Sequence, residues 1–474
     1  MEELGIRNVG YAKIIHRIYG PFEKSAIFAV TILGLMYTHQ MLSRIAIDRL
    51  RNQLEKIKSN GVLDGDNADR KENLHRLFMY PAMMVPATQS AIIEAFSHEL
   101  PNSILAIDPY MGSGTALLSC MEFGFDVYGQ DINPFAVLLS QAKTTNYDIA
   151  QLNDSFEKVI QHIENDKSTN IEVSFNTIDK WFTKDAQIAF SRIRRAIMDE
   201  PNGNIRKFLW VLMSEAIRTG SNDRTSTFKL HQRGPEELER RHVDNIKNFL
   251  EYVQQGVSDF KYFQDKIHEK TCRYGNATIN WGNTQRKIDS EQRFGLLVSS
   301  PPYGDNHTTV TYGQTSYLPL QWIDPKDIDC PYDYLKTTQE IDRQSLGGAI
   351  NRKALSGQKD RLIEKSKSFE DFYFSIPEED RERYNKTISF IADFDESLDS
   401  ITSIMDKDAF FIWTIGNRTV GGREIPNAQI LIDLMQYRGF ELFFSADRQI
   451  SNKTQPKKNN FSKTMDKEDI LIFH

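Results

Sequence analysis

The sequence predicts an α/β fold around a doubly wound, largely parallel sheet, and three observations support this prediction. An apolar strand at 104–107 leads through a Gly-rich loop into a helix over 116–123 and a second strand at 126–130. This order of strand, loop, helix and strand is the repeating unit of doubly wound sheets. A later apolar run, 294–298, ends in a Pro-Pro turn, and apolar strand patterns return at 410–415. We therefore expect one sheet assembled from distant parts of the chain.

The remaining elements divide the chain into core segments and insertions. Apolar residues recur at helical spacing from Ile14 to Leu54, and 59–67 is a loop rich in Gly, Asn and Asp. Further elements are expected as a helix at 89–98, a strand near 277–281, a helix at 428–437 and strands at 440–444 and 469–473. The expected domains are an N-terminal helical extension (1–74), the cofactor half of the core (75–145), a mostly helical insertion (146–270), the catalytic half of the core (271–325), a second insertion (326–395) and the C-terminal part of the sheet (396–474).

The composition is that of a globular protein, with 40% hydrophobic and 11% aromatic residues in a chain of 474. The longest apolar run, Ala26 to Tyr37, is about 12 residues long, whereas a membrane span needs roughly 20. The N-terminus shows no signal pattern, and the three cysteines have neither disulfide-framework nor zinc-site spacing. We therefore expect a cytoplasmic protein without membrane segments, disulfides or a metal site.

The charge distribution gives a divided indication about nucleic acids. A net charge of −7 argues mildly against such a partner, because phosphate contacts need Lys and Arg. Local clusters matter more than the net charge, and three stretches are basic: 218–233, 343–367 and 452–463. A solvated surface explains any one of these runs equally well.

The loop after the first strand has the sequence Asp108-Pro-Tyr-Met-Gly-Ser-Gly-Thr115. Its glycines allow the backbone to approach a ligand closely and to turn sharply into the next helix. Asp131 ends the following strand, about 20 residues further on, where a carboxylate can accept hydrogen bonds from ribose hydroxyls. The loop lacks the Gly-x-Gly-x-x-Gly and Gly-Lys-Ser/Thr patterns that hold phosphates. It suits a ribose-containing ligand without a phosphate, and an ordinary tight turn is the alternative.

The second motif is Ser299-Ser-Pro-Pro-Tyr-Gly304, which follows the strand 294–298. The prolines stiffen this turn because their rings fix φ. A hydroxyl precedes them at Ser300, and an aromatic ring follows at Tyr303. The arrangement is suited to holding a planar base with an exocyclic amine. The alternative is a turn that ends a core strand with its Tyr packed inside.

Together the two motifs resemble those of the amino-methylating DNA methyltransferases. The catalytic tetrapeptide of that family is Ser/Asp/Asn-Pro-Pro-Tyr, and its cofactor loop is Asp-Pro-Phe-x-Gly-Ser-Gly-Thr. The resemblance covers roughly 75–145, 280–325 and 408–474. It implies a Rossmann-like methyltransferase core that binds S-adenosylmethionine (AdoMet). The cofactor-binding residues that it implies are Tyr80, Pro81, Asp108, Pro109, Tyr110, Gly112, Ser113, Gly114, Thr115, Asp131, Ile132, Asn133 and Asn283.

Two of these assignments come from segments outside the loop. The segment His75–Pro81 is similar to the one that closes over the methionine end of AdoMet in the family. Asn283, within Trp281–Thr284, stands where the family usually has an Asp that contacts the adenine amino group. An amide oxygen can still accept a hydrogen bond, so we expect a weaker contact there. A plain turn residue is the alternative.

The resemblance assigns the chemistry to Ser300, Pro301, Pro302 and Tyr303. An exocyclic amine is a poor nucleophile because its lone pair is delocalised into the ring. The Ser300 hydroxyl and the Pro301 carbonyl can accept its protons and place its nitrogen in line with the methyl group. Tyr303 offers a face on which a flipped base can stack. Serine is not a general base at neutral pH, so we expect direct displacement, with the proton lost afterwards.

The first residue of the tetrapeptide indicates the base. In the family, Ser there is typical of cytosine 4-amino enzymes, and Asp or Asn of adenine 6-amino enzymes, so cytosine is the expected target. Cysteine attack on the cytosine ring is disfavoured, because Cys330 precedes its proline and Cys120 lies in a predicted helix. The alternatives are an adenine enzyme, an RNA or protein-amide methyltransferase on the same fold, and a DNA-binding relative without activity.

The resemblance also implies a partner and a biological role. The partner is double-stranded DNA, and the role is the modification half of a restriction or defence system, in which a cognate restriction endonuclease is a further partner. The insertion 146–270 is the favoured target-recognition region, because it is larger and contains the basic stretch 218–233. The second insertion holds Ile341–Gly348, which is either a DNA-facing turn or a helix end. The candidate DNA contacts are Arg218, Arg224, Lys229, Arg233, His307, Tyr312, Arg418 and Lys453.

Overall fold

The computed structural model describes residues 44–65, 73–304, 311–450 and 465–474. The chain divides into two compact units, Met1–Arg49 and Leu50–His474. Of the first unit the structure describes 44–49, which begin helix α1 (Arg44–Ser59). The earlier part of the predicted N-terminal helical extension lies outside the described residues. The sheet and the cleft described below belong to the second unit.

A β-sheet forms the centre of the second unit, accompanied by a two-stranded ribbon. The strands of the described chain are β1 (Leu105–Asp108), β2 (Asp126–Asp131), β3 (Ala277–Trp281), β4 (Phe294–Ser299), β5 (Met405–Ile415), β6 (Arg418–Val420), β7 (Arg423–Ile425), β8 (Leu442–Gln449) and β9 (Lys467–Phe473). Seven of them form one sheet in the order β3-β2-β1-β4-β5-β9-β8, and β6 pairs with β7. Strands β1 to β5 run parallel, whereas β9 is antiparallel to both β5 and β8. The predicted doubly wound α/β sheet is confirmed.

Helices cover the sheet and build the segments inserted between its strands. In the described ranges they are α1, α2 (Pro86–Ser97), α3 (Thr115–Glu122), α4 (Pro134–Thr144), α5 (Ile149–Asn165), α6 (Ile178–Trp181), α7 (Lys184–Met198), α8 (Gly203–Gly220), α9 (Pro235–Arg240), α10 (Asn245–Lys270), α11 (Tyr312–Trp322), α12 (Glu340–Gln344), α13 (Leu355–Lys365), α14 (Lys367–Phe374), α15 (Asn385–Ile404) and α16 (Asn427–Tyr437). Within those ranges no helix has the length and apolarity that crossing a membrane requires.

The order of the strands creates a crevice between β1 and β4. From β1 the chain proceeds outward to β2 and β3 on one side, and from β4 to β5 on the other. Ligands of doubly wound sheets bind outside the carboxyl ends of the strands, at the point where the order reverses. Both sequence motifs follow these two strands directly, since β1 ends at Asp108 and β4 ends at Ser299. The fold therefore brings them to one edge of the sheet.

Apolar side chains alternate between the two faces of the sheet. Ile107 of β1 and Tyr128 of β2 belong to a core formed with α15 and α16. Their buried neighbours, Ala106 and Val127, face the other side, because successive strand residues point in opposite directions. Helices α3 and α4 pack against β1, β2 and β3. Every residue of α3 is buried. The loop before α3 therefore leads into a helix that is packed on all sides.

The late strands differ from the sequence prediction in their length. The strand predicted at 440–444 is observed as β8, Leu442–Gln449. The sequence from Ser445 to Gln449 is polar, but its residues alternate between exposed and buried, as a strand with one covered face requires. The inward residues are Ala446 and Arg448, and the charge of Arg448 is paired with Glu468 on β9. A buried ion pair thus extends a strand that hydrophobicity alone does not predict.

Candidate active site

Asp108 and Ser299 join the two motifs at the end of the sheet. Asp108 is fully buried, and its Oδ1 accepts hydrogen bonds from the Ser299 hydroxyl at 2.6 Å and from the Tyr110 backbone N–H at 3.1 Å. Its Oδ2 has no hydrogen-bond partner among the described residues. Burial raises the pKa of the Asp108 carboxyl to about 7, against the two hydrogen bonds that favour its ionised form. We call the loop 108–115 the cofactor loop and the turn 300–303 the catalytic turn, after the roles that the sequence predicts for them. The Asp108 carboxyl fixes the start of the cofactor loop relative to the catalytic turn.

The cofactor loop needs glycine at two positions. Gly112 has φ +47° and Gly114 has φ +75°, a region that other residues rarely adopt. A Cβ on Gly114 would lie 2.9 Å from the Ser140 hydroxyl oxygen. That hydroxyl donates to the Gly112 carbonyl at 3.2 Å, so α4 holds the loop at the place where no side chain fits.

Lys143 is a second anchor of this loop, and the sequence analysis did not single it out. Its side chain is fully buried, and its ammonium Nζ lies 2.9 Å from the Ser113 carbonyl oxygen, to which it donates. Burial lowers the pKa of Lys143 to about 7. A lysine in a helix is ordinarily solvent-exposed, so only the fold reveals that this one reaches the loop.

Asp131 closes the loop from the adjacent strand. Its Oδ2 accepts from the Gly112 N–H at 2.9 Å, and its Oδ1 accepts from the Asn133 N–H at 2.8 Å. Burial raises the pKa of Asp131 to about 6, although these backbone donors oppose the shift. Each carboxylate oxygen has more than one lone pair, so Asp131 retains acceptor capacity toward the cleft. Asn133 caps α4 and donates to the hydroxyls of Tyr80 and Ser316.

An open cleft of about 840 Å³ lies above these residues. Its wall combines the cofactor loop, the end of β2, the catalytic turn and a segment of the second insertion. The predicted site residues that line it are Tyr80, Pro81, Pro109, Tyr110, Gly112, Ser113, Thr115, Asp131, Ile132, Asn133, Asn283, Ser300, Pro302 and Tyr312. The other four described candidates from the two motifs are not among the lining residues: Asp108, Gly114, Pro301 and Tyr303.

Asn283 lies on the wall and also serves its own turn. Its side-chain oxygen accepts from the Gln285 backbone N–H at 3.0 Å, which is the turn role considered as the alternative. The next residue, Thr284, donates to the Pro109 carbonyl at 2.7 Å and so fastens this turn to the cofactor loop. Trp281 donates from Nε1 to the Ile132 carbonyl at 2.8 Å. The end of β3 is therefore tied to the same wall.

Residues of β5 and β9 contact the catalytic turn through Tyr303. Ser300 Oγ lies 3.0 Å from the Tyr303 hydroxyl oxygen. The Tyr303 hydroxyl also lies 3.1 Å from Glu468 Oε1 and 3.5 Å from the Thr414 carbonyl oxygen. Burial raises the pKa of Tyr303 well above its ordinary value, and the charge of Glu468 adds to that shift. The hydroxyl end of Tyr303 is thus anchored in the protein, whereas its side chain as a whole is only half-buried.

The second insertion contributes wall residues that the sequence analysis did not assign to the site. They are Ile341, Asp342, Ser345 and Leu346. Asp342 is buried, and its Oδ2 accepts from the Gly313 N–H at 3.1 Å at the start of α11. Burial raises the pKa of Asp342 to about 7. The Tyr312 ring, at the same helix start, stacks on Tyr80 with 5.9 Å between centroids. The sequence feature that could have indicated these wall residues is Ile341–Gly348, for which the sequence predicts a DNA-facing turn or a helix end.

The candidate DNA contacts differ from one another in their pairing and exposure. Arg218 pairs with Glu215 at 2.6 Å, and 21% of its side chain is exposed. Arg233 is paired with Glu237, which lies 3.9 Å from the half-exposed Arg224. Lys229 and Arg418 are partly exposed, and Arg418 lies on β6. His307 and Lys453 lie outside the described residues.

The loop between α8 and α9 reaches the start of α11, next to the cleft. Asp223 and Gln232 form a bridge at its base. The Phe228 carbonyl accepts hydrogen bonds from the hydroxyls of Thr311 at 3.2 Å and Thr315 at 3.1 Å. This loop, 223–232, therefore packs on the start of α11, beside the cleft residue Tyr312.

No group of three or more His, Cys, Asp or Glu residues in the described ranges is arranged to hold a metal ion.

Comparison with known proteins gives the family. No family model matches the chain. The chain is 32% identical over 445 residues to the type II methyltransferase M.MvaI of Kocuria varians, covering 90% of this chain and 96% of that protein. It is 36% identical over 85 residues to the type II methyltransferase M.MjaII of Methanocaldococcus jannaschii, covering 18% and 15% of the two chains. A solved rRNA methyltransferase, aviRa from Streptomyces viridochromogenes, overlaps 84% of this chain and 88% of its own at 9% identity, but its TM-score of 0.30 is too low to support an argument. Because it is 32% identical to the first relative over most of both chains, and because it contains both motifs, the chain belongs to the type II DNA methyltransferases.

Proposed function

We propose that the protein transfers a methyl group from AdoMet to an exocyclic amino group of a flipped base in duplex DNA, and that this group is the 4-amino group of cytosine. The observation that carries the proposal is the placement of Ser300 on the wall of the cleft that the cofactor loop forms. Cofactor and target amine would meet there, at the carboxyl ends of β1 and β4.

The residues of the cleft fit AdoMet. Among the described wall residues there is no Lys or Arg, whereas Asp131 and Asp342 supply carboxylates. Such a wall suits a cationic ligand without phosphates better than a nucleotide phosphate. Asp131 would accept from the ribose hydroxyls, Ile132 and Asn283 would hold the adenine, and Tyr80 with Pro81 would cover the methionine end. Bound AdoMet supplies an electrophilic methyl carbon attached to a sulfonium.

The chain's own contribution to the chemistry is to orient the target amine and accept its protons. Ser300 lines the cleft, and the Pro301 carbonyl follows it in the turn. These acceptors favour a tetrahedral nitrogen whose lone pair is available. The half-buried Tyr303 ring would stack on the flipped base. None of the cysteines lines the cleft, which argues against cysteine attack on a ring carbon.

The duplex would be read on the catalytic side of the cleft. The loop 223–232 packs on α11 next to Tyr312 and carries Arg224 and Lys229. This supports the insertion 146–270 as the target-recognition region. The naming of the relative from Kocuria varians as a type II methyltransferase supports a role as the modification component of a restriction or defence system. A cognate endonuclease would recognise the same site.

Transfer of a labelled methyl group from AdoMet tests the proposal. Purified protein is incubated with mixed-sequence duplex DNA, with single-stranded and structured RNA, and with a protein extract. AdoMet binding is measured separately by calorimetry. We expect label in duplex DNA alone, and loss of this transfer but not of AdoMet binding in Ser300→Ala. Label in RNA or protein would contradict the DNA substrate, and binding without any transfer would indicate an inactive relative.

A further inference from the structure

Hydrogen-bond contacts link four side chains, Ser300, Tyr303, Glu468 and Arg448, from the cleft to the far edge of the sheet. Ser300 follows β4, Thr414 lies in β5, Glu468 lies in β9 and Arg448 lies in β8, which are four neighbouring strands. Arg448 and Glu468 are direct partners in the β8–β9 register. Tyr303 links Ser300 to the Arg448–Glu468 pair, because its hydroxyl contacts both Ser300 and Glu468.

The end of these contacts farthest from the cleft is a buried ion pair. Arg448 Nε donates to Glu468 Oε2 at 2.8 Å, and the two side chains are 6% and 14% exposed. Glu468 is the carboxylate partner of this ion pair, and carboxylate oxygens only accept hydrogen bonds. Oε1, the oxygen that Arg448 does not hold, lies 3.1 Å from the Tyr303 hydroxyl.

These contacts decide which way the Ser300 proton points. The Tyr303 hydroxyl has one proton, and two of its three neighbours, Glu468 Oε1 and the Thr414 carbonyl, are acceptors only. Its proton therefore goes to one of these two, and Glu468 is both charged and nearer. The 3.0 Å contact between Ser300 and Tyr303 is then a hydrogen bond only if Ser300 donates. With its proton directed inward, Ser300 Oγ presents only lone pairs to the cleft.

We propose that Glu468 is a positioning residue for methyl transfer: through Tyr303 it turns the Ser300 hydroxyl into a pure acceptor for the target amine. This inference rests on the proposed function for its consequence, whereas the proton arrangement itself does not depend on the substrate. Arg448 holds the carboxylate in place from the other side. Residues of the sheet thus determine that the Ser300 hydroxyl acts as a hydrogen-bond acceptor toward the reacting base.

Kinetics of matched variants test the inference. In Glu468→Gln the amide oxygen faces Arg448 and the amide N–H faces Tyr303. The Tyr303 proton then turns to Ser300 at 3.0 Å, because the Thr414 carbonyl, at 3.5 Å, is at the limit of hydrogen bonding. We expect kcat to fall about tenfold to hundredfold, with the Kd for AdoMet unchanged. The control is Asp447→Asn, which removes an exposed carboxylate next to Arg448 on β8 and should leave kcat unchanged.

The Tyr303→Phe variant separates positioning from a structural effect. It keeps the aromatic ring and removes the hydroxyl that links Glu468 to Ser300. If Glu468 acts through that hydroxyl, Glu468→Gln lowers kcat in the wild type but not in Tyr303→Phe. Equal losses in both backgrounds, or full kcat in Glu468→Gln, would overturn the inference.

Neutron diffraction of the deuterium-exchanged wild-type protein gives a readout that is independent of activity. We expect the deuterium between Ser300 and Tyr303 to be bonded to Ser300. Deuterium bonded to Tyr303 and directed at Ser300 would overturn the inference even if DNA is methylated. Absence of methyl transfer by the wild type would contradict the proposed function instead, and the diffraction result would still decide the proton arrangement.

Discussion

The hydroxyl of Ser299 donates a 2.6 Å hydrogen bond to the buried carboxyl of Asp108. The first residue ends the strand before the catalytic turn, and the second ends the strand before the cofactor loop. The bond spans adjacent strands at the point where the strand order reverses. The segments predicted to bind the cofactor and to carry the catalytic residues are therefore positioned by one hydrogen bond between adjacent strands.

The buried Asp108 carboxyl predicts a distinctive pH dependence of stability. Its folded pKa is raised from 3.8 to about 7, so its contribution to stability is fully present below 3.8 and is lost as pH rises through about 7. Asp108→Asn keeps an acceptor for Ser299 and removes the charge. Relative to wild type, we expect the free energy of unfolding of the variant to increase between pH 4.5 and 8 by roughly 2 to 4 kcal/mol. Urea denaturation at the two pH values measures this, and parallel curves for the two proteins would contradict it.

Asp131→Ala should weaken AdoMet binding by about tenfold to hundredfold, because it removes charged acceptors from the wall and frees the Gly112 N–H. Calorimetric titration with AdoMet measures the effect. The matched control is Asp244→Ala, which removes a carboxylate that caps α10 away from the cleft. An unchanged Kd in Asp131→Ala would rule out the ribose assignment.

Gly114→Ala combines backbone strain with crowding, because the new Cβ would meet the Ser140 hydroxyl. Gly439→Ala is the control for strain alone, since Gly439 also has positive φ, +87°, but nothing lies within 4 Å of its Cβ position. We expect a loss of about 1 to 2 kcal/mol for Gly439→Ala and a further 1 to 3 kcal/mol for Gly114→Ala. Only the latter should also weaken AdoMet binding. Chemical denaturation and calorimetry decide the matter, and equal stability of the two variants would argue against crowding at the loop.

Tyr303→Ala should reduce turnover about tenfold to hundredfold while changing AdoMet affinity little, because it removes the stacking face and the link to Glu468. Steady-state methyl transfer and AdoMet titration on the same preparation provide the comparison. Parallel losses of turnover and affinity would show that Tyr303 acts as a core residue, as the alternative in the sequence analysis supposed.

The strands of the sheet and both motifs could be predicted because each is encoded by contiguous residues. The loop 108–115 and the turn 300–303 follow apolar runs directly, and those runs are the observed strands β1 and β4. The anchors of these motifs could not be predicted in the same way. Lys143 and Glu468 act across 30 and 165 residues of sequence, respectively, and nothing local distinguishes them from surface charges.

Arg218 is a basic residue whose partner is encoded locally in the sequence. The basic stretch 218–233 made it a candidate DNA contact, yet its guanidinium is held by Glu215, three residues earlier on α8. Spacing of three residues places two helical side chains on the same face, so the pair is encoded in the sequence. Basic clusters are better evidence for a DNA surface once such intrahelical pairs have been removed.

The most direct test of the account identifies the methylated nucleoside. Duplex DNA treated with the protein and labelled AdoMet is digested to nucleosides, which are separated and analysed by mass spectrometry. We predict the label on the 4-amino group of cytosine, with Glu468→Gln giving the same product more slowly. Label on the 6-amino group of adenine would keep the acceptor chemistry but contradict the choice of base, and label on a cytosine ring carbon would contradict the mechanism.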